Sequence, residues 1–487
     1  MSETDKKPII DLSSKVQDNP KYIPERDHPM SVTGDFTVAV VGDIVQTRPI
    51  TQLEDSDVQA ALAPVKDADF AIGNLEQAIG NFREFEGYEY GVGAFLVMAK
   101  PEIADDLAAM GFDILSRANN RLSDFGIEGN RETDGHLKRV GIEPVGFGEH
   151  LSQARAPCYK DVEKGRMSAI GVTSSFQPGG EKAFFAAARI GNAKGRPGVN
   201  GLHVSRTITL PPQAWDSLNE FIGQANYAFP FNYPIQATLS ATEDCVQIMH
   251  NIYVKGEKAG YSYKADREQV EILMKEIRNA AAYSNFNVFT IHSHQWMIDP
   301  HDPLGGFHGE TKEPPDFLVE LAHEAIDNGC DMFCVHGPFE FRAIEIYKGK
   351  PIFYSLGSFI RQPYQQDIVP WETYSAHKFI DRDYPSENPI DTKIEDAKFL
   401  LERTGRHPAS YFRGASISCE YSDSKLKKII IHPVDLGIDG PLSDLGIPKI
   451  ASEEVANNLL NEIAQLSVPY GTKLEIKDGL GVIKLEQ

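Results

Sequence analysis

The feature that most constrains the fold is a series of short apolar runs, each ending in small and polar residues. Six such runs recur along the chain: FTVAVVGDI from Phe36, DFAIGNLE (69–76), FDILSRANN (112–120), RMSAIGVTSSF (166–176), NVFTIHSHQW (287–296) and CDMFCVHGPF (330–339). A continuous run rich in β-branched residues is typical of a strand buried on both faces. The runs therefore predict parallel strands whose following loops gather at one edge of a sheet.

Segments of helical period lie between these runs. In DREQVEILMKEIRNAAAY one face collects the apolar side chains Val270, Leu273, Met274, Ile277 and Ala281. Their i, i+3, i+4 spacing predicts an amphipathic helix. A second helix is predicted in PPDFLVELAHEAIDNG, with Asp316 as a candidate N-cap and Asn328-Gly329 as its stop. Alternating strands and helices predict an α/β fold with right-handed crossovers and ligands at the carboxyl ends of the strands.

Two hairpin signals add antiparallel strands to this sheet. The first is AIEIYKGKPIFYSLGSFI (343–360), with Lys348-Gly349 at the turn. The second is SISCEYSDSKLKKIIIHPVDL (416–436), with a polar SDSK turn. Alternating apolar runs around short polar turns are typical of β-hairpins.

The chain is predicted to form one main domain over residues 34–440. Residues 1–33 are polar and broken by prolines, which predicts an extended arm. Residues 441–487 are predicted to form a helix and a strand that pack on the domain. Aromatic-rich segments at about 226–234 and 361–415 predict long loops, which are either lids over a site or packed insertions.

Charge and cysteine content exclude several classes of partner. The chain has 48 Lys and Arg against 70 Asp and Glu, a formal net charge of −22, so nucleic acid and anionic membranes are poor candidates. No apolar run of about 18 residues and no signal-like N-terminus occur, which predicts a cytoplasmic protein. The five cysteines are scattered and odd in number, which predicts reduced thiols. A homo-oligomer is left open.

Polar side chains follow five of the predicted strands at the point where each ends. They are Asp43, Asn74, Glu76, Asn119, Asn120, His292, His294 and His336. This mixture of oxygen and nitrogen donors suits a divalent ion such as Mn, Fe or Zn. Such an ion would act as a Lewis acid and supply hydroxide near neutral pH.

Each of these elements also has a purely structural interpretation. Gly42-Asp43 after a strand is usually a turn, and Asn119-Asn120 can be one as well. His292 and His294 lie on one face if the strand continues through them, where one or both could be hydrogen-bonded core residues. The joint pattern is more specific than its parts, since successive strands end in potential ligands.

Several stretches resemble a known family. They are GDI, NLE, RANNRLSDFGIEGNRETDGHLKRVGIEPVGFGEHLSQA, IHSHQW and HGPFEFRAIEIYKGKPIFYSLGSFI. Together they resemble the CapA family of capsule-synthesis proteins, related to poly-γ-glutamate biosynthesis, over roughly residues 36–360 and the hairpin that follows. The family is similar to calcineurin-like metallophosphoesterases. The resemblance implies a layered α/β/β/α sandwich, commonly with two metals at the strand ends, together with poly-γ-glutamate handling and amide hydrolysis.

Departures from the family pattern change the expected chemistry. Relatives usually read Asn-Asn-His where this chain has Arg121, and a guanidinium cannot act as a general acid. Phe339 stands where relatives have a histidine, and Gln295 stands where a glutamate is more usual. Ser358 replaces a common asparagine.

The resemblance implies a set of ligands by position. Asp43 would belong to a first metal together with the histidine missing at position 339, and Glu76 would bridge. Asn120, His292 and His336 would complete a second metal. Because the first site is degraded, one divalent ion (Mn, Zn or Fe) is expected, with the alternative that none binds tightly.

The arginines and amides near the strand ends are predicted to bind substrate. Arg121 beside a metal is a bidentate anchor for a carboxylate or phosphate. Arg48 and Arg342 either assist it or pair with surface acids. Asn74 and Gln295 complete the predicted substrate-binding set.

The leading hypothesis is a metal-dependent hydrolase that cleaves an amide bond, with a γ-glutamyl link implied by the family, in an anionic small molecule or peptide. His294 would act as base or acid, with His292 and Asp43 as the other catalytic residues. One alternative is an epimerase or lyase that abstracts a proton next to a carbonyl. Another is a degenerate binding protein without catalysis.

Overall fold

The structure is a computed structural model that describes residues 31–88, 90, 96–176, 184–225, 239–241, 245–248, 251–298, 310–365 and 409–485. Nearly all of the predicted arm at 1–33 lies outside the described residues. The aromatic segment at 226–234 and most of the one at 361–415 also lie outside them.

The described residues form helices and strands in alternation along most of the chain. The helices are α1 (Ser56–Lys66), α2 (Glu102–Ala109), α3 (Gly126–Arg139), α4 (Leu151–Arg155), α5 (Pro212–Ala225), α6 (Arg267–Tyr283), α7 (Asp316–Asp327) and α8 (Glu453–Ser467). The strands of the first half are β1 (Asp35–Val45), β2 (Phe70–Leu75), β3 (Ala78–Ile79), β4 (Met98–Ala99), β5 (Ile114–Ser116), β6 (Glu143–Val145), β7 (Phe147–Gly148), β8 (Cys158–Val162), β9 (Gly165–Thr173), β10 (Gly198–Val199), β11 (Val204–Leu210), β12 (Leu239–Ala241), β13 (Cys245–Ile248), β14 (Asn251–Lys255) and β15 (Gly260–Ala265). Those of the second half are β16 (Phe286–His292), β17 (Met297–Ile298), β18 (Glu310–Thr311), β19 (Met332–His336), β20 (Ile344–Tyr347), β21 (Lys350–Phe353), β22 (Ser358–Arg361), β23 (Arg413–Ser422), β24 (Lys425–Asp435), β25 (Lys449–Ile450), β26 (Glu475–Lys477) and β27 (Leu480–Lys484).

Two large sheets carry the predicted strands. A ten-stranded sheet has the order β26-β27-β24-β23-β1-β2-β5-β6, with β22 paired to β1 and β25 to β24. A six-stranded sheet has the order β20-β21-β19-β16-β9-β8. Both predicted hairpins form, as β20–β21 and β23–β24. Lys348 (φ 51°) and Gly349 (φ 77°) take the left-handed angles that a tight two-residue turn requires.

The apolar residues divide into layers. Val38 and Val40 of the ten-stranded sheet pack against Val288 and Met332 of the six-stranded sheet, which forms a core between the sheets. Helices α1 and α2 cover the outer face of the first sheet, and α6 and α7 cover that of the second. This is the expected α/β/β/α sandwich, and it leaves the carboxyl ends of parallel strands from both sheets at a common edge.

Other elements extend this sandwich. Between β9 and α6 lies a separate five-stranded sheet, β12-β13-β14-β11-β15, which the sequence patterns do not predict. Helix α8 inserts Leu459, Leu460 and Ile463 into the core between the sheets, and β26 and β27 extend the ten-stranded sheet. None of the helices in the described part of the chain is long and apolar enough to cross a membrane.

One helix begins differently from the prediction. The N-cap of α7 is Pro315, and Asp316 is its first residue. The Asp316 carboxylate accepts the backbone N–H of Tyr263 at 2.9 Å, from neighbouring strand β15. The prediction of Asp316 as N-cap is therefore wrong, because the side chain serves a contact between elements that are distant in sequence.

Candidate metal centre

The predicted strand ends meet at one edge of the sandwich. Asp43 of β1 lies beside Asn74 of β2 on one side and Ser358 of β22 on the other. His292 of β16 lies beside His336 of β19 in the facing sheet. The two sheets therefore bring oxygen and nitrogen donors toward one another across this edge.

Glu76, His292 and His294 form a cluster that can hold a metal ion. One ligand atom of each residue lies within 4.8 Å of the ligand atoms of the other two. His292 Nε2 is 3.8 Å from Glu76 Oε1, and the centres of the two imidazole rings are 4.8 Å apart. Asn120 joins the cluster through its Nδ2, 3.3 Å from His294 Nε2.

Unpaired buried atoms at this cluster fit a bound cation. Among the described residues, both carboxylate oxygens of Glu76, the Oδ1 of Asn120 and the Nε2 of His292 are buried without a hydrogen-bond partner. Unpaired buried polar atoms are costly and uncommon in folded proteins. A divalent ion that accepts oxygen and imidazole donors would satisfy all of them, and Mn, Fe and Zn bind such a donor set.

The electrostatics of the cluster favour the same interpretation. Burial, and then the neighbouring Asp43, raise the pKa of Glu76 well above its usual value. Burial raises the pKa of Asp43 to about 7, although the hydrogen bond from Asn74 opposes this. Burial also lowers the pKa of His292 well below its usual value and that of His294 to about 3. Both imidazoles are therefore neutral, which is the form that binds metal, and a bound cation would restore the charge of the carboxylates.

A buried arginine that sequence reasoning missed fixes the backbone around Glu76. Arg117 Nη1 donates to the carbonyls of Leu75 at 3.1 Å and Gln77 at 2.6 Å, one on each side of Glu76. Its Nε lies 3.5 Å from the carboxylate of Asp134. Arg117 thus holds the Glu76 backbone in place from the end of β5.

Asp43 supports His292 and lies outside the three-residue cluster. Its Oδ1 accepts a hydrogen bond from Asn74 Nδ2 at 2.7 Å, and its Oδ2 accepts one from the Gly337 N–H at 3.1 Å. Asn74 Nδ2 is also 3.2 Å from His292 Nδ1, and Asn119 Nδ2 donates to Asn74 Oδ1 at 3.1 Å. This arrangement orients the His292 ring, as outer-shell partners of metal ligands do. Direct metal ligation by Asp43 stays a prediction.

His292 and His294 come together although only His292 lies on a strand. Strand β16 ends at His292, so His294 lies in the following loop. The loop is held because the His294 N–H donates to Ser175 Oγ at 2.5 Å and the Ser293 N–H donates to the His336 carbonyl at 2.8 Å. The strand therefore does not continue through both histidines, although their rings are adjacent.

His336 is buried next to this group without joining it. Within the described part of the chain, neither of its ring nitrogens has a hydrogen-bond partner. Burial lowers its pKa to about 3, so the ring is neutral. The ligand atoms that lie closest together are those of Glu76, His292 and His294, and ligation by His336 stays a prediction.

The predicted substrate-binding arginines take different positions. Arg121 lies beside the cluster, with Nε 4.0 Å from Glu76 Oε1 and Nη1 3.6 Å from Asp124 Oδ2. Arg342 is buried and donates from Nη2 to the Gln295 carbonyl at 2.9 Å. Arg48 is exposed, and its hydrogen bonds in the described structure run through its backbone.

Gln295 acts as a brace for the loop that carries His294. Its Oε1 accepts hydrogen bonds from Ser293 at 2.6 Å and Ser174 at 2.9 Å. Its Nε2 donates to the Ser174 carbonyl at 2.9 Å. These contacts hold the loop between β16 and β17, and a contact between Gln295 and substrate stays a prediction.

Comparison with known proteins gives relatives that cover up to 93% of the chain. Residues 37–363, which contain every residue of the cluster, match the family described as bacterial capsule synthesis protein PGA_cap. Protein y4sH of Sinorhizobium fredii is 31% identical over 462 residues, 93% of this chain and 94% of that protein. Capsule biosynthesis protein CapA of Bacillus anthracis is 26% identical over 149 residues, 30% of this chain and 36% of that protein. PGA biosynthesis protein CapA of Bacillus subtilis is 22% identical over 331 residues, 67% of this chain and 63% of that protein.

Proposed function

Because this chain belongs to the bacterial capsule synthesis family PGA_cap, we propose that it is a metal-dependent hydrolase that cleaves an amide bond in an anionic small molecule or peptide. A γ-glutamyl link is the proposed target, which the PGA biosynthesis role named for the Bacillus subtilis relative supports. The observation that carries the proposal is the buried cluster of Glu76, His292 and His294, whose ligand atoms converge within 4.8 Å.

The proposed metal ligands are Glu76, His292, His294 and the Oδ1 of Asn120. A divalent ion bound there would supply Lewis acidity toward a carbonyl and a water of lowered pKa. Arg117 keeps the Glu76 backbone fixed, and Asp43 with Asn74 keeps the His292 ring fixed. A site held this rigidly is favourable for catalysis, because small displacements of ligands are costly in rate.

Arg121 is the proposed anchor for a substrate carboxylate. Its guanidinium lies next to Glu76, and the planar fork suits a carboxylate bidentately. Its proposed role is to orient the substrate and not to transfer a proton.

His294 is proposed either as a metal ligand or as a general base, and it cannot be both at the same time. As a ligand its ring nitrogen is occupied, whereas as a base that nitrogen must accept a proton. The variant His294→Gln distinguishes them. Loss of bound metal assigns the ligand role, and retained metal with lost activity assigns the base role.

The proposal is tested by measuring release of free amine from a γ-linked glutamyl peptide with added Mn, Zn or Fe. We expect activity that a chelator abolishes and metal restores. Glu76→Gln should be inactive, and Glu149→Gln should be active, since that carboxylate pairs with Arg131 at the surface. Full activity in protein shown by elemental analysis to lack metal would contradict the proposal. Deuterium from D2O in recovered substrate would instead indicate the epimerase or lyase alternative.

A further inference from the structure

Another buried arginine, Arg361, lies near the cluster of Glu76, His292 and His294. It is the last residue of β22 and lies beside Val45 of β1, the strand that carries Asp43. Its side chain is buried, with 6% of the residue exposed. Its backbone N–H donates to the Gly446 carbonyl at 3.0 Å, which fixes the point from which the side chain extends.

The Arg361 guanidinium rests on aromatic rings rather than on carboxylates. Its Cζ is 4.2 Å from the centre of the Phe339 ring and 5.6 Å from that of Tyr411. Among the residues that the structure describes, its Nε has no hydrogen-bond partner and no carboxylate forms an ion pair with it. A buried cation that rests on aromatic faces without a direct carboxylate partner is costly unless an anion completes its environment.

The aromatic ring beneath Arg361 links it to the cluster. Phe339 meets the His294 ring edge to face, with centres 5.5 Å apart. Phe339 also has a φ of 61°, a left-handed conformation that is strained for a bulky residue and is found preferentially at functional sites. The strained turn places the ring between His294 and Arg361.

The charge of Arg361 acts on the same groups as that of Arg121. Both guanidinium groups lower the pKa of Glu76 and of His294, although burial remains the largest influence on each. The two arginines come from opposite parts of the sequence, one from the start of the short 3₁₀ helix Asn120–Ser123 and one from the end of β22. Arg342 also lowers the pKa of His294, so the cluster has three cationic neighbours, of which Arg121 and Arg361 act on Glu76 as well.

We propose that Arg361 binds a second oxyanion of the substrate, so that the substrate carries two anionic groups, one for Arg121 and one for Arg361. The assignment rests on the proposed function and names its substrate class. A γ-linked glutamyl-glutamate unit has a carboxylate on each side of its amide, which matches two guanidinium groups around one reacting centre. The Arg361 oxyanion is a carboxylate or a phosphate.

Calorimetric titration of the full chain with and without added Mn tests this assignment. The probes are glutarate with two carboxylates, butyrate with one, and inorganic phosphate. We expect glutarate to bind more tightly than butyrate, and Arg361→Met to weaken glutarate by roughly tenfold or more, because a charge-assisted bidentate contact is lost. Arg139→Met removes the same charge from an exposed pair with Asp105 and should leave binding unchanged. Tighter binding of phosphate than of glutarate, lost in Arg361→Met, would assign the oxyanion as phosphate.

A second variant keeps the proposal testable if the first does not fold. Arg361→Lys keeps the charge and loses the fork, so it should bind glutarate at an intermediate strength and serves if the methionine variant does not fold. Unchanged binding of glutarate and phosphate in a folded Arg361→Met protein would overturn the proposal, as would a wild type that binds neither. These titrations measure binding only. If the protein binds two anionic groups but cleaves no amide in the hydrolysis assay, the proposed function is contradicted and the assignment of Arg361 stands.

Discussion

The middle of each central strand differs sharply from its carboxyl end. In β16, Val288 and Phe289 are fully buried among apolar neighbours, and every strand position is paired with a residue of β9 or β19. A few residues later, His292 and the facing Glu76 have buried atoms without hydrogen-bond partners in the described structure. The same strands therefore stabilise the fold in their middle, whereas at their carboxyl ends they hold buried polar atoms without hydrogen-bond partners, as a metal site requires.

Substitution in the strand middle should have the largest effect on stability. Phe289 is buried and stacks on Phe333 with ring centres 5.3 Å apart, so Phe289→Ala should lower the free energy of unfolding by about 3–5 kcal/mol. Urea denaturation measures this change. Phe221→Ala, at a position that is 65% exposed, is the control and should change stability little. Equal effects of the two changes would break the comparison.

Substitution of Arg117 tests the link between the packed strands and the cluster at their carboxyl ends. Arg117→Met leaves the partly buried Asp134 without its cation and frees the carbonyls of Leu75 and Gln77, so we expect a loss of about 3 kcal/mol in unfolding free energy. We also expect weaker metal binding, because Glu76 lies between those carbonyls. Arg139→Met breaks only an exposed pair and is the control. Unchanged metal affinity in Arg117→Met would show that Glu76 needs no such support.

Metal addition should stabilise the folded protein through the cluster at the carboxyl ends of the strands. With free metal at about 100 times the dissociation constant, the free energy of unfolding should rise by about 2.7 kcal/mol, since the ion binds the folded state only. Thermal denaturation with Mn, Zn or Fe measures the rise. Glu76→Gln should show none, and equal stabilisation of that variant would place the binding site elsewhere.

The smallest expected effect comes from the support around His292. Asn74→Ala removes the amide that links Asp43 to the His292 ring, so metal affinity should fall by about tenfold with little change in fold. A metal titration measures it. Asn279→Ala on the exposed face of α6 is the control. An affinity equal to that of wild type in Asn74→Ala would show that His292 is oriented by other contacts.

The sequence predicts the layers of the fold and the residues of the cluster better than the residues that surround the cluster. The β-branched runs and their polar ends predict β1, β2, β5, β9, β16 and β19 because burial on both faces requires that composition. Glu76 and His292 follow directly from those ends. Arg361 escapes prediction because it reaches the site only through the pairing of β22 with β1, which brings together residues over 300 positions apart. Its sequence signal is a lone charge that closes the apolar run SFIR.

Elemental analysis of the purified protein tests the central claim most directly. Wild type, Glu76→Gln and the control Glu149→Gln are incubated with Mn, Zn and Fe, freed of loose metal and measured side by side. The cluster of Glu76, His292 and His294 predicts one equivalent of metal in wild type and control and a loss of it in Glu76→Gln. A wild type without metal, or equal metal in all three proteins, would contradict it.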